Sequence, residues 1–162
     1  MYRSGFLVIS FLLTVVAFSQ KLTLPDLNRL LYMNAGEMNS WLLERGYRLS
    51  YNDSSATGIN RYYDTFRGKD STTQVHSLSY SLARVNGYEG ILMLYRTYDK
   101  KEQEGFLDYL KANGFVLADS YRSDNAENYI YKKESVTIRN VIAVHELEDK
   151  RKITSYSIET GR

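Results

Sequence analysis

Met38-x-x-Trp41-Leu42-x-x-x-Gly46-Tyr47-x-Leu49 is matched, 68 positions later, by Phe106-x-x-Tyr109-Leu110-x-x-x-Gly114-Phe115-x-Leu117. In each stretch apolar residues fall at i, i+3 and i+4, the spacing of a helix with one buried face. A glycine then stands where a helix ends in the left-handed conformation, with an aromatic residue directly after it. Beyond the glycine the period drops to 2 and β-prone residues take over. Each stretch is therefore a helix turning into a strand. Self-similarity at a fixed offset predicts a repeated architecture. It carries little chemistry, because every matched residue is apolar or glycine.

Working outward, the helix starts are marked by caps. Thr23-x-x-Asp26 predicts a first helix running to about residue 32, with Leu22 and Leu27 placed for a hydrophobic staple. Asn34-x-x-Glu37 predicts a second and Asp99-x-x-Glu102 a third. Strands are expected near 47–52, 59–67, 73–85 and 90–97, and again near 115–121, 127–133, 135–147 and 151–159. Asn86-Gly87 favours a tight hairpin turn, and the charged run 148–152 holds the corresponding place later in the chain. Hairpin-length connections imply antiparallel pairing. The expected fold is thus α+β: two tandem helix-plus-four-strand repeats, 20–97 and 98–162, forming one domain with an antiparallel sheet and helices on one face. One continuous sheet and two lobes both satisfy this pattern.

The first 19 residues read differently. Arg3 precedes an apolar run from Phe6 to Phe18, and Ala17-Phe18-Ser19 offers small residues for cleavage before Gln20. About 13 apolar residues fall short of the roughly 20 needed to span a bilayer. A signal peptide over 1–19 is expected, with the mature chain exported to the periplasm or beyond and no transmembrane segment left after cleavage. Loss of Arg3 brings the 21 Lys and Arg down to 20, against 19 Asp and Glu. Such near-neutrality speaks against nucleic acid as a partner. The absence of cysteine rules out disulfides, thiolate metal sites and cysteine nucleophiles.

Two units, each helical and then four-stranded, resemble the beta-lactamase-inhibitor-protein-like fold in element order, across the whole mature chain. That resemblance implies a continuous curved sheet with a binding face. Families of that shape usually carry disulfides, which this chain lacks. The phrases Leu22-Thr23-Leu24-Pro25-Asp26-Leu27 and Trp41-Leu42-Leu43-x-x-Gly46-Tyr47 are also similar to uncharacterised exported proteins of Gram-negative bacteria. Neither resemblance assigns a role to any residue.

Catalytic signatures are scarce. No G-x-S-x-G turn, P-loop or G-x-G-x-x-G occurs. Glu102 and Glu104 lie in the first turns of a helix, where the dipole accounts for them. Asp119, Asp124 and Glu127 lack the spacing of a calcium loop. His76 and His145 have opposite strand parity relative to their apolar neighbours, so they should face opposite sides of a sheet rather than share a metal. No cofactor or metal is expected, and an enzyme is the less favoured class.

Binding is the favoured class. Ser77, Ser79 and Ser81 alternate with Leu78, Tyr80 and Leu82, which predicts one apolar and one small polar face. Arg139, Val141, Ala143 and His145 would extend that polar face. Fourteen tyrosines remain after cleavage of Tyr2 from the 15 present, and tyrosine suits contact surfaces. Tyr62, Tyr63, Tyr121, Tyr129 and Tyr131 are concentrated near the second strand of each half. The candidate binding residues are Ser77, Ser79, Ser81, Arg139, His145, Tyr62 and Tyr129, with a protein, peptide or glycan as partner. The alternatives are an enzyme with an unrecognised site and a structural component of the cell envelope.

Overall fold

The computed structural model describes residues 21–67 and 73–162. The expected signal peptide lies outside them. The chain runs α1 (Leu24–Leu30), α2 (Ala35–Glu44), β1 (Arg48–Ser55), β2 (Gly58–Phe66), β3 (Gln74–Val85), β4 (Tyr88–Thr97), α3 (Lys100–Ala112), β5 (Val116–Ser123), β6 (Ala126–Lys133), β7 (Val136–Glu146) and β8 (Lys152–Gly161).

The local signals explain where each helix begins and ends. Thr23 and Asp26 form a capping box on α1, and Asn34 and Glu37 form one on α2. Each box satisfies orphan amides of the first turn. At the far ends, the Tyr47 amide donates to the Leu42 carbonyl at 3.0 Å and the Phe115 amide to the Leu110 carbonyl at 3.0 Å. Gly46 and Gly114 between them adopt φ of 82° and 77°. These are two copies of one left-handed helix ending. Asn86 and Gly87 both have positive φ, the combination that lets a two-residue hairpin follow strand twist.

All eight strands join one antiparallel sheet in the order β1-β2-β3-β4-β8-β7-β6-β5. The expectation of two tandem helix-plus-four-strand repeats is corrected by this sheet. β4 and β8 pair antiparallel from Leu92↔Gly161 to Thr97↔Tyr156, so the described residues form mostly one eight-stranded sheet carrying three helices. Two helices precede β1 and a single one precedes β5. The physical reason is the cost of open edges: separate four-stranded sheets would expose the amides and carbonyls of both β4 and β8.

The core lies between one sheet face and the helices. From the sheet come Tyr63, Leu78, Tyr80, Met93, Tyr95, Ile138 and Ile158; from the helices come Leu27, Leu30, Met38, Leu42, Phe106 and Leu110, all buried. Burying each large apolar side chain contributes about 1.5–3 kcal/mol, and no disulfide is needed to supplement it. Residues of the opposite parity form the face that no helix covers among the described residues, the helix-free face, which positions the candidate site.

Candidate functional site

Register across the sheet sorts the residues expected to bind. One row runs Tyr51–Tyr62–Ser79–Leu94–Glu159–Arg139 from β1 to β7. The next runs Asp64–Ser77–Arg96–Ser157–Val141–Asn128–Tyr121. Paired residues on neighbouring strands point to the same face, and both rows are of the parity opposite to the buried Leu78, Tyr95 and Ile158. Ser81, paired with Asn60 and Leu92, belongs to the same face. His145, two residues beyond Ala143 on β7, does too, and its Nε2 lies 2.8 Å from Ser155 Oγ. Six of the seven candidates, Ser77, Ser79, Ser81, Arg139, His145 and Tyr62, therefore share the helix-free face.

Tyr129 does not join them. It pairs with Asn140, which pairs with Ile158, and this row carries the parity of the core. The expected tyrosine cluster is divided for the same reason. Tyr63 is fully buried while its neighbour Tyr62 is exposed, because adjacent strand residues point to opposite faces. Tyr62 stacks edge-on against Tyr51 at 5.4 Å between centroids. Tyr121 reaches the helix-free face from β5, at the far side of the sheet.

Charge on this face is mostly paired. Arg139 bonds Glu159 across the β7–β8 ladder, and that hydrogen bond holds the guanidinium pKa above its ordinary value. Asp64 accepts from Gln74 Nε2. Beside Val75 and Ile153 the face ends in an open cleft of about 700 Å³, also lined by Arg67, Thr73, Gln74, Tyr98, Asp99 and Lys100.

The sequence reading misses a second assembly, beneath α3. Glu102 turns inward instead of facing solvent in the first turn. Its Oε1 accepts from Tyr95 Oη at 2.6 Å, and its Oε2 accepts from Thr97 Oγ1 at 2.9 Å. His76 Nε2 lies 3.1 Å from the same Oε2, and His76 Nδ1 lies 3.1 Å from Thr65 Oγ1. Burial on its own would raise the Glu102 pKa. The hydrogen bonds from His76, Tyr95 and Thr97 outweigh it and hold the carboxyl below its ordinary value. Burial, reinforced by Tyr47 and Glu102, pushes the Tyr95 phenol far up, so it stays a donor. Lys21 Nζ stands 3.8 Å from Glu102 Oε2 and 2.8 Å from Asp99 Oδ2.

Glu102 also forms part of the wall of a cleft of about 250 Å³, with Leu22, Leu24, Phe106 and Tyr109. A general base needs a lone pair free to reach its proton. Both oxygens of Glu102 are already taken by buried donors, so the cluster works as a strut joining α3 to the sheet. The only advance signal was the parity that Thr65 on β2, His76 on β3 and the Tyr95-x-Thr97 pair on β4 share with their apolar neighbours. Strand parity places such residues on the core side but does not say that a helix carboxylate meets them.

No family model, no curated protein and no solved structure matches this chain. No helix among the described residues is long and apolar enough to cross a membrane.

Proposed function

We propose that this chain is an exported, non-enzymatic binding module that offers the helix-free face of its sheet to a protein, peptide or glycan. The observation that carries the reading is the gathering of Ser77, Ser79, Ser81, Arg139, His145 and Tyr62 on the sheet face that no helix covers among the described residues. Antiparallel sheets tolerate water on one face, but this one carries features of a contact surface. Tyr51, Tyr62 and Tyr121 are exposed there, and tyrosine and arginine are enriched where proteins make contacts. Small serines between them leave a shallow surface that a partner can cover.

The reading is tested by capture from an envelope fraction with the purified protein. Ser79→Arg and Arg139→Glu should each reduce capture of a specific partner, while Lys111→Glu on α3 should leave it intact. Capture that survives both sheet changes and fails with the helix change places the function elsewhere.

A further inference from the structure

Resting on the binding-face reading, we infer that Arg96, with the Ser77 and Ser157 hydroxyls at its sides, is a receptor for a single carboxylate of a polypeptide partner. Arg96 lies at the middle of the face, directly paired with Ser77 on β3 and Ser157 on β8. Such paired positions lie about 4.5–5.5 Å apart between Cα atoms, so both hydroxyls are within reach of a group held by the guanidinium. Among the described residues the Arg96 side chain makes no hydrogen bond or ion pair, and its Nε is shielded from solvent without a partner. Ser157 is only 5% exposed, and its hydroxyl likewise bonds to nothing among the described residues. The half-buried guanidinium has no acceptor among the described residues, which is costly, and an oxyanion reaching its solvent side satisfies it while accepting from the flanking hydroxyls.

The neighbouring charges select the kind of anion. Glu159 is diagonal to Arg96 and already bonded by Arg139. Asp64 lies two strands away in the same row and is bonded by Gln74. Arg96 is thus a positive charge with no acceptor among the described residues, set between the ion-paired Glu159 and Asp64, which Gln74 bonds and Arg48 faces across the β1–β2 ladder. That balance suits a singly charged, planar carboxylate, which a guanidinium fork engages in a bidentate manner. A doubly charged phosphate would meet repulsion from Glu159 and Asp64. The apolar surroundings select a polypeptide: Leu94, Val141 and the exposed Tyr62 offer contact area on both sides of the charge.

The test is a titration of the purified protein followed by ¹H–¹⁵N NMR, reading arginine Nε–H signals and backbone amides. The probes are acetyl-Ala-Glu-Ala-amide, acetyl-Ala-Gln-Ala-amide and inorganic phosphate. The glutamate peptide should move the Arg96 Nε–H signal and the Ser77 and Ser157 amides saturably. Its glutamine counterpart should bind about tenfold more weakly, as expected for loss of a charged hydrogen bond. Arg96→Gln should abolish the shifts. Arg96→Lys should keep them weakened, and it serves as the control if the glutamine variant does not fold. Equal binding of the two peptides, tighter binding of phosphate, no saturable shift, or shifts that survive Arg96→Gln would each overturn the assignment. In the last case, shifts confined to Tyr62, Ser79 and Arg139 leave the binding-face reading standing, and shifts confined to α1–α3 remove both.

Discussion

His76 and Glu102, 26 residues apart in the chain, meet inside the protein with Nε2 3.1 Å from Oε2. Around them Thr65, Tyr95 and Thr97 complete a polar knot within an otherwise apolar layer. Every oxygen of the carboxylate is matched, which is the condition under which a buried charge is tolerated. Removing one member should therefore cost more than the contact itself contributes.

Glu102→Ala is expected to destabilise the fold by about 3 kcal/mol, because it leaves buried donors without an acceptor. Urea unfolding followed by circular dichroism reads this directly. A double-mutant cycle with His76→Ala should show a coupling of about 1 kcal/mol or more. Additive losses would mean that the two side chains do not act together.

The acid limb of stability should also trace to Glu102. Its folded pKa is depressed, so in acid the unfolded chain takes up the proton more readily than the folded one. The stabilisation is then fully present above the unfolded value of about 4.3 and is lost as pH falls through the folded value. Asp99 is also depressed, through its bond from Lys21, and contributes equally to parent and variant. Urea midpoints measured from neutral pH into acid should fall less steeply in Glu102→Gln than in the parent. Parallel curves would assign the acid limb to other groups.

Gly46→Val and Gly114→Val should each cost about 1–2 kcal/mol, since a β-branched residue is strained at positive φ. At Gly114 an added Cβ would meet nothing within 4 Å, so the loss there reports backbone strain and not a clash. Melts of either variant that overlay the parent would show that these helix ends do not need glycine.

Arg139→Glu, which sets a second carboxylate opposite Glu159, should cost stability, whereas Ser79→Arg is expected to change it by no more than a surface change normally does, within about 0.5 kcal/mol. A loss well above that would mark the helix-free face as a packing surface rather than a contact surface.

Cleavage of the proposed signal should leave a chain that begins at Gln20. N-terminal sequencing of material recovered outside the cytoplasm checks this, and an intact Met1 in that material would refute export by a cleaved signal.

The serine row Ser77, Ser79, Ser81 and the opposite faces of His76 and His145 were legible in advance, because strand parity is a local property. Tyr129 shares with Tyr62 only a place on the second strand of its half, not a parity, and its pairing to Asn140 puts it on the core side. Arg96 was overlooked because nothing in Leu94-Tyr95-Arg96-Thr97 distinguishes an unpaired arginine from an ion-paired one. Pairing depends on what the neighbouring strands bring.

What the sequence determined by itself is local. Caps at Thr23, Asn34 and Asp99, glycines at 46 and 114, and the switch from period 3.6 to period 2 dictate where helices stop and strands start, because each depends on a few consecutive residues. The joining of β4 to β8 into one sheet and the inward turn of Glu102 onto His76 come only from the assembled fold. Backbone hydrogen bonds are alike in every strand, so periodicity cannot say which edge meets which. A carboxylate at the third position of a helix can serve the dipole from solvent or from within. The choice between them belongs to Tyr95, Thr97 and His76, which only the assembled sheet holds in place.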